Sequence, residues 1–220
     1  MELKREELEL LKTKYLHLID SLTRDGVDKQ GLIDYLYSVN FFEAPYSSQY
    51  SGSYKGGLLK HSLDTYENLV KIYKTFGGTI LPENAGDPTD TFIILGLLHD
   101  IGKADLYEEY FANKKIYSQF GNKSDENGKF SWVSVPAYKI KDSNSRFILG
   151  TSEENSLYLI QNFVPLYKEE TAAILNCKGG RDQSATDCTF MTAFTKYTLA
   201  LYLFMADSKA TFKDGYEVDE

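Results

Sequence analysis

The sequence predicts a mainly α-helical bundle that carries one inserted β-hairpin. Three observations point there. Apolar residues recur at three- and four-residue spacing over most of the chain. Capping residues stand just ahead of several of those runs. Only one stretch, about 113–139, alternates instead and is rich in aromatic and β-branched residues. Of the 220 residues, 42% are hydrophobic and 25% charged, so wholesale disorder is excluded and a packed core is within reach.

In chain order, Glu2 to Thr23 reads as an amphipathic helix, with Leu8, Leu11, Tyr15, Leu18 and Leu22 on one face. Gly26 stops it, and Asp28 caps a second helix carrying Leu32, Ile33, Leu36 and Tyr37. The Ser-, Tyr- and Gly-rich run 40–57 is a loop, and a third helix follows from Leu58 to about Phe76. Thr89 or Asp90 caps a helix through TFIILGLLHDIGK, and Asp105 with Glu108 makes a capping box for another short helix. KKIYSQF and KFSWVSV, joined by GNKSDENG, form the hairpin. Thr151 and Glu154 give a second capping box, Pro165 separates that helix from KEETAAILN, and Gly179 and Gly180 end the latter. A final helix spans Thr189 to Phe212. The domain reading is an N-terminal helix (1–26) packed on or extending one main domain (27–213), then an acidic tail (214–220).

Net charge is −8, so the broad basic footprint of a duplex nucleic-acid binder is missing. The apolar runs 91–98 and 197–206 fall well short of the roughly 18 residues of a membrane span. Cys177 and Cys188 form no CxxC pair, which fits a reducing, cytoplasmic setting. The long first helix offers a seam for a homo-oligomer.

Two places conflict with simple core packing. FIILGLL runs straight into His99 and Asp100, and TLALYLFMA runs straight into Asp207. A carboxylate at the end of so apolar a stretch costs several kcal/mol unless it is paired or binds a cation. Neither aspartate neutralises the other, so positive charge is required, and a divalent metal is the economical source. Histidine is scarce. His17 reads as an ordinary residue of the charged first helix, whereas His61 lies in the apolar start of the third, in GGLLKHSL.

GGLLKHSL, LGLLHDIGK and LFMADSKA together resemble the signature of the HD-domain metal-dependent phosphohydrolase superfamily: a His, a His-Asp pair, and a later Asp ending an apolar helical run. The resemblance extends over about residues 30–212 and is nearest to short single-domain bacterial and phage members. It implies an HD-domain helical bundle in which His61, His99, Asp100 and Asp207 hold a divalent metal. Two imidazoles and two carboxylates suit manganese, iron, cobalt, nickel or zinc, and magnesium with more difficulty. Relatives often carry further histidines where this chain has Ser51, Thr151 or Ser152, and Cys177. A one-metal site is therefore favoured over a two-metal one, with Cys177 read as a buried small residue.

The implied activity is metal-dependent hydrolysis of a phosphate ester or anhydride in a small nucleotide: a nucleoside monophosphate, a dNTP, a cyclic nucleotide or a dinucleotide. Asp100 and Lys103 are the catalytic candidates. Lys103, four residues after His99 on one helix face, would reach the phosphoryl oxygens. Lys55 and Lys60 flank the start of the His61 helix, and Lys178 and Arg181 lie in CKGGRDQS. These four are the candidate substrate contacts. Tyr54 and Tyr138 are candidate base-stacking residues, and Glu153 and Glu154 read as helix-capping residues. The rival reading is a catalytically lapsed protein that binds or sequesters a nucleotide in the same pocket. An oligonucleotide exonuclease is a more distant one.

Overall fold

The computed structural model describes residues 3–49, 51–77, 88–147, 150–179 and 189–212. Eight α-helices lie among them: α1 (Arg5–Asp20), α2 (Lys29–Ser38), α3 (Gly57–Phe76), α4 (Thr89–Leu98), α5 (Ser152–Gln161), α6 (Lys168–Leu175), α7 (Thr189–Lys196) and α8 (Thr198–Thr211). Between α4 and α5 stand β1 (Tyr107–Tyr117), β2 (Lys123–Asp125) and β3 (Gly128–Ile140), an antiparallel sheet in the order β1-β3-β2.

The centre of the bundle is α4. Thr91 to Leu98 are all buried, so this helix has no polar face and must be enclosed on every side. Helices α1, α3 and α6 pack around it, and α8 packs on α3 and α6. Contact with α3 is close because Gly96 has no side chain: a Cβ there would lie 2.5 Å from the Tyr66 Cα. Helix α1 joins the same core through Leu8, Tyr15 and Ile19, and the Tyr15 hydroxyl donates to the Leu97 carbonyl at 3.0 Å. His17 is exposed on its outer side.

Local capping follows the sequence at two helix starts. The Asp28 carboxylate accepts from the Gly31 N–H, and Thr151 with Glu154 forms a reciprocal capping box. Elsewhere the structure departs from the sequence reading. The α4 N-terminus has no side-chain cap; the Asp90 carboxylate instead accepts from the Thr23 N–H and hydroxyl at 2.9 and 3.1 Å, tying the chain after α1 to α4. Asp105 and Glu108 begin no helix. Lys141 takes the Asp105 carboxylate and Lys139 the Glu108 one, because the β1–β3 ladder runs down to Tyr107↔Ile140 and draws that segment into extended backbone. Both hairpin strands consequently extend beyond 113–139 at the base.

Two helix ends also differ. The last helix is two, broken at Tyr197 (φ −124°, ψ 96°), which folds α7 back so that Phe194 meets Phe204 at a ring separation of 5.2 Å. Helix α6 stops at Leu175, before Gly179 (φ +64°) turns the chain. The sequence readings of Gly180, Arg181 and the 214–220 tail lie outside the described residues. No helix among those described is long and apolar enough to cross a membrane.

A buried ion pair fastens the end of the bundle away from the hairpin. Arg24 donates to both Glu170 oxygens at 2.6 and 2.7 Å, the Thr91 hydroxyl donates to the same carboxylate at 2.6 Å, and the Tyr167 N–H does so at 2.9 Å. The chain after α1, α4 and α6 thus meet on one carboxylate. Removing it leaves the partly buried Arg24 guanidinium only the Pro165 carbonyl and the Thr91 hydroxyl, so Glu170→Ala is expected to lose about 1–3 kcal/mol of stability, read by urea denaturation. Glu67→Ala, which breaks only exposed pairs with Lys14 and Lys71, is expected to lose under about 1 kcal/mol in the same measurement.

Candidate metal centre

Three helices deliver four donors to one buried point. His61 sits in the second turn of α3, on the stripe that also buries Leu58 and Leu69. His99 is the C-terminal cap of α4, and Asp100 begins the turn after it (φ −112°, ψ 19°). Asp207 faces inward from α8 beside Leu203, Ala206 and Ala210. Because α3 packs on both α4 and α8, residues from three distant stretches of chain become neighbours.

The His61 Nε2 is 3.0 Å from Asp207 Oδ1 and 3.6 Å from Asp100 Oδ2, and the His99 Nε2 is 3.4 Å from each of those oxygens. One donor atom from each residue lies within 4.8 Å of every other, and all four residues are buried. Donors about 2.1 Å from a common ion stand about 3.0 Å apart at right angles and about 3.4 Å apart at the tetrahedral angle. The four imidazole-to-carboxylate spacings, 3.0–3.6 Å, lie near that range, so the group could hold a divalent ion. Two further features suit this group. His99 Nδ1–H donates to the Leu95 carbonyl at 3.0 Å, which turns Nε2 toward the carboxylates. Asp100 Oδ1 is buried with no hydrogen-bond partner among the described residues, leaving lone pairs for a cation.

Two lysines complete the cluster. Lys178, in the turn after α6, places its ammonium 2.9 Å from both Asp100 Oδ2 and Asp207 Oδ1. Lys103 lies 3.0 Å from Asp100 Oδ2 and sits over the Tyr46 ring, 3.8 Å from its centroid. Tyr46 in turn stacks on His61, with ring centroids 3.7 Å apart and planes 17° from parallel, and its hydroxyl meets Thr211 Oγ1 at 3.0 Å. One aromatic ring therefore fixes both a metal-ligand candidate and a cation.

These charges set the protonation states. Burial alone would raise both aspartate carboxyls, yet Lys103 and Lys178 hold Asp100, and Lys178 with His61 holds Asp207, well below the usual carboxylate range. Burial pushes His61 down to about 4, so its ring is neutral and has a lone pair to give. At His99 burial acts in the same direction but is outweighed by Asp100 and Asp207, which push the ring up to about 9. Ligation there exchanges that proton for the ion. Burial drives the Cys177 thiol well up, which keeps it protonated in the core.

The other sequence candidates distribute unevenly. Lys103 reaches the cluster through a 3-10 turn, Ile101–Lys103, and pairs with Asp100 three residues before it; α4 has already ended at Leu98, so the shared α-helical face with His99 does not exist. Lys60 pairs with Asp64 one turn along α3, and both line a small pocket with Tyr46, Ser51, Tyr54 and His61. Lys55 is exposed, pairs with Glu43 at 2.9 Å, and stands at a separate cleft of about 230 Å³. Arg181 lies outside the described residues. Glu154 caps α5, while the Glu153 carboxylate accepts from the Ser152 hydroxyl at 3.1 Å. Sequence reasoning missed Tyr46 and took Lys178 for a substrate contact alone. The signal for Tyr46 was faint, one of 17 tyrosines, in a segment read as loop.

His99→Ala removes one donor, and Asp207→Asn replaces an anionic donor with a neutral one. After equilibration with Mn²⁺ and gel filtration, elemental analysis is expected to fall from about one equivalent in the parent to under about a tenth in either variant. An unchanged metal content in both would place the ion elsewhere. Set against protein-family models, curated proteins and solved structures, the chain matches none.

Proposed function

We propose that this protein is a metal-dependent phosphohydrolase of the HD type acting on a phosphate ester or anhydride of a small nucleotide. The observation that carries the reading is the buried convergence of His61, His99, Asp100 and Asp207 on one point, ringed by two ammonium groups. A divalent ion held there supplies Lewis acidity and a water of lowered pKa. The protein's own groups do the rest. Asp100 and Asp207 oppose the cation's charge and fix its position. Tyr46 holds the His61 ring in its plane. Lys103, kept in place by Asp100 and the Tyr46 ring, stabilises charge developing on the phosphoryl oxygens.

Size and charge favour a small substrate. The cleft of about 230 Å³ is separate from the four-residue cluster but reaches the segment that carries Lys103 through Ala104, and Glu43, Lys55, Tyr107, Glu109, Tyr138 and Lys141 line it. That is below the usual range for a whole drug-sized ligand and suits one sugar or base. A net charge of −8 works against long nucleic acid.

A second reading has one observation in its favour: Lys103 and Lys178 already neutralise the two aspartates, as a nucleotide-binding protein without turnover would require. A phosphate-release screen over nucleoside monophosphates, dNTPs, cyclic nucleotides and dinucleotides, with Mn²⁺, Fe²⁺, Co²⁺, Ni²⁺, Zn²⁺ or Mg²⁺ added back, separates the two. Hydrolysis of at least one class is expected, with Lys103→Met lowering kcat about 10²–10³-fold. Nucleotide binding without product under every metal would favour the second reading.

A further inference from the structure

We propose that Lys178 is a tethered cation that bridges the two aspartates in place of a divalent ion and, once displaced by one, anchors a dianionic phosphate, so that the site selects phosphate monoesters over diesters. This rests on the metal-dependent reading of the same cluster. The Lys178 ammonium is equidistant, at 2.9 Å, from the two oxygens nearest the imidazoles, Asp100 Oδ2 and Asp207 Oδ1. An ion held by both imidazoles would bear on these same two oxygens, the carboxylate atoms that meet the imidazole nitrogens at 3.0–3.6 Å. An ammonium and a divalent ion do not share them: two like charges so close, in a site this buried, repel each other strongly.

Lys178 has somewhere to go. Its side chain retains 14% exposure, whereas those of His99, Asp100 and Asp207 retain 3% or less. It hangs from a turn rather than a helix, beside Gly179 at φ +64°, and its Nζ is already 3.5 Å from the Tyr46 hydroxyl. Both ammonium groups lie near the Tyr46 ring, Lys103 at 3.8 Å and Lys178 at 5.6 Å from its centroid, so a Lys178 side chain withdrawn from the carboxylates stays beside the cluster. Lys103 cannot play this part, because it contacts only Asp100 of the two aspartates.

Charge counting then specifies the substrate. With neutral imidazoles, as ligation requires, two carboxylates against two ammonium groups leave the cluster balanced. A divalent ion adds two positive charges, the complement of a phosphate monoester, and one more than a diester carries. The same lysine therefore opposes the ion and favours the phosphate, and its removal must move the two affinities in opposite directions.

The test is isothermal titration of the full-length protein, freed of metal, with Mn²⁺ alone, and of the Mn²⁺-saturated protein with inorganic phosphate or dimethyl phosphate at about pH 8. Lys178→Met is compared with the parent, and Lys178→Gln is run beside it in case one variant fails to fold, both checked by thermal melting. The expected result is a Kd for Mn²⁺ at least about tenfold tighter in the variants. The Kd for inorganic phosphate is expected to be at least about tenfold weaker, with little change for dimethyl phosphate. Mn²⁺ affinity that is equal or weaker in the variants, or phosphate affinity that does not fall, overturns the role of Lys178 while leaving the metal centre standing. Failure of parent and variants alike to bind Mn²⁺ removes both.

Discussion

Two aspartates face each other in the middle of an apolar bundle, and the rest of the site is an answer to their charge. Asp100 follows a helix with no polar face, and Asp207 lies on a helix whose inward stripe is otherwise Leu, Ala and Tyr. Both are buried, so each is met by positive charge from the protein or from a bound ion. The imidazoles of His61 and His99, the ammonium groups of Lys103 and Lys178, and the unpartnered Asp100 Oδ1 all lie within a few ångströms of that pair.

The scaffold explains how such an arrangement holds. Helix α4 is enclosed by α1, α3 and α6, and the Gly96 contact with Tyr66 sets how closely α3 can approach, which fixes His61 against His99. Far from the site, Glu170 binds Arg24, Thr91 and the Tyr167 backbone together, so the end of α4 opposite His99 is also pinned. A rigid frame of this kind lets a charged cluster keep its geometry when its counter-charge changes, because the helices do not need to move for a lysine to swing.

Much of this was legible in the amino-acid order, for identifiable reasons. His99, Asp100 and Asp207 stood out because they end apolar runs, and that interruption survives any error in helix boundaries; His61 joined them only through the family resemblance. Asp28, Thr151 and Glu154 announced their helices because capping is a local interaction. The failures were all tertiary. Asp105 and Glu108 satisfy a capping box on paper, but Lys141 and Lys139 on the returning strand claim them. The break at Tyr197 follows from Phe194 reaching Phe204, a contact no local pattern encodes. Need for positive charge was evident from the two aspartates, yet which lysine supplies it depends on how the turn after α6 folds back over α8. Tyr46 was hidden for the same reason: its partners His61, Lys103 and Thr211 are remote in sequence.

The most direct measurement is anomalous X-ray scattering from crystals grown with Mn²⁺, collected on either side of the manganese absorption edge. One anomalous peak is expected, about 2.1–2.2 Å from His61 Nε2, His99 Nε2, an Asp100 oxygen and an Asp207 oxygen, with the Lys178 ammonium moved off both carboxylates. Density showing no peak at those four residues, and Lys178 still seated between the aspartates at saturating Mn²⁺, would contradict the metal centre on which the functional reading is built.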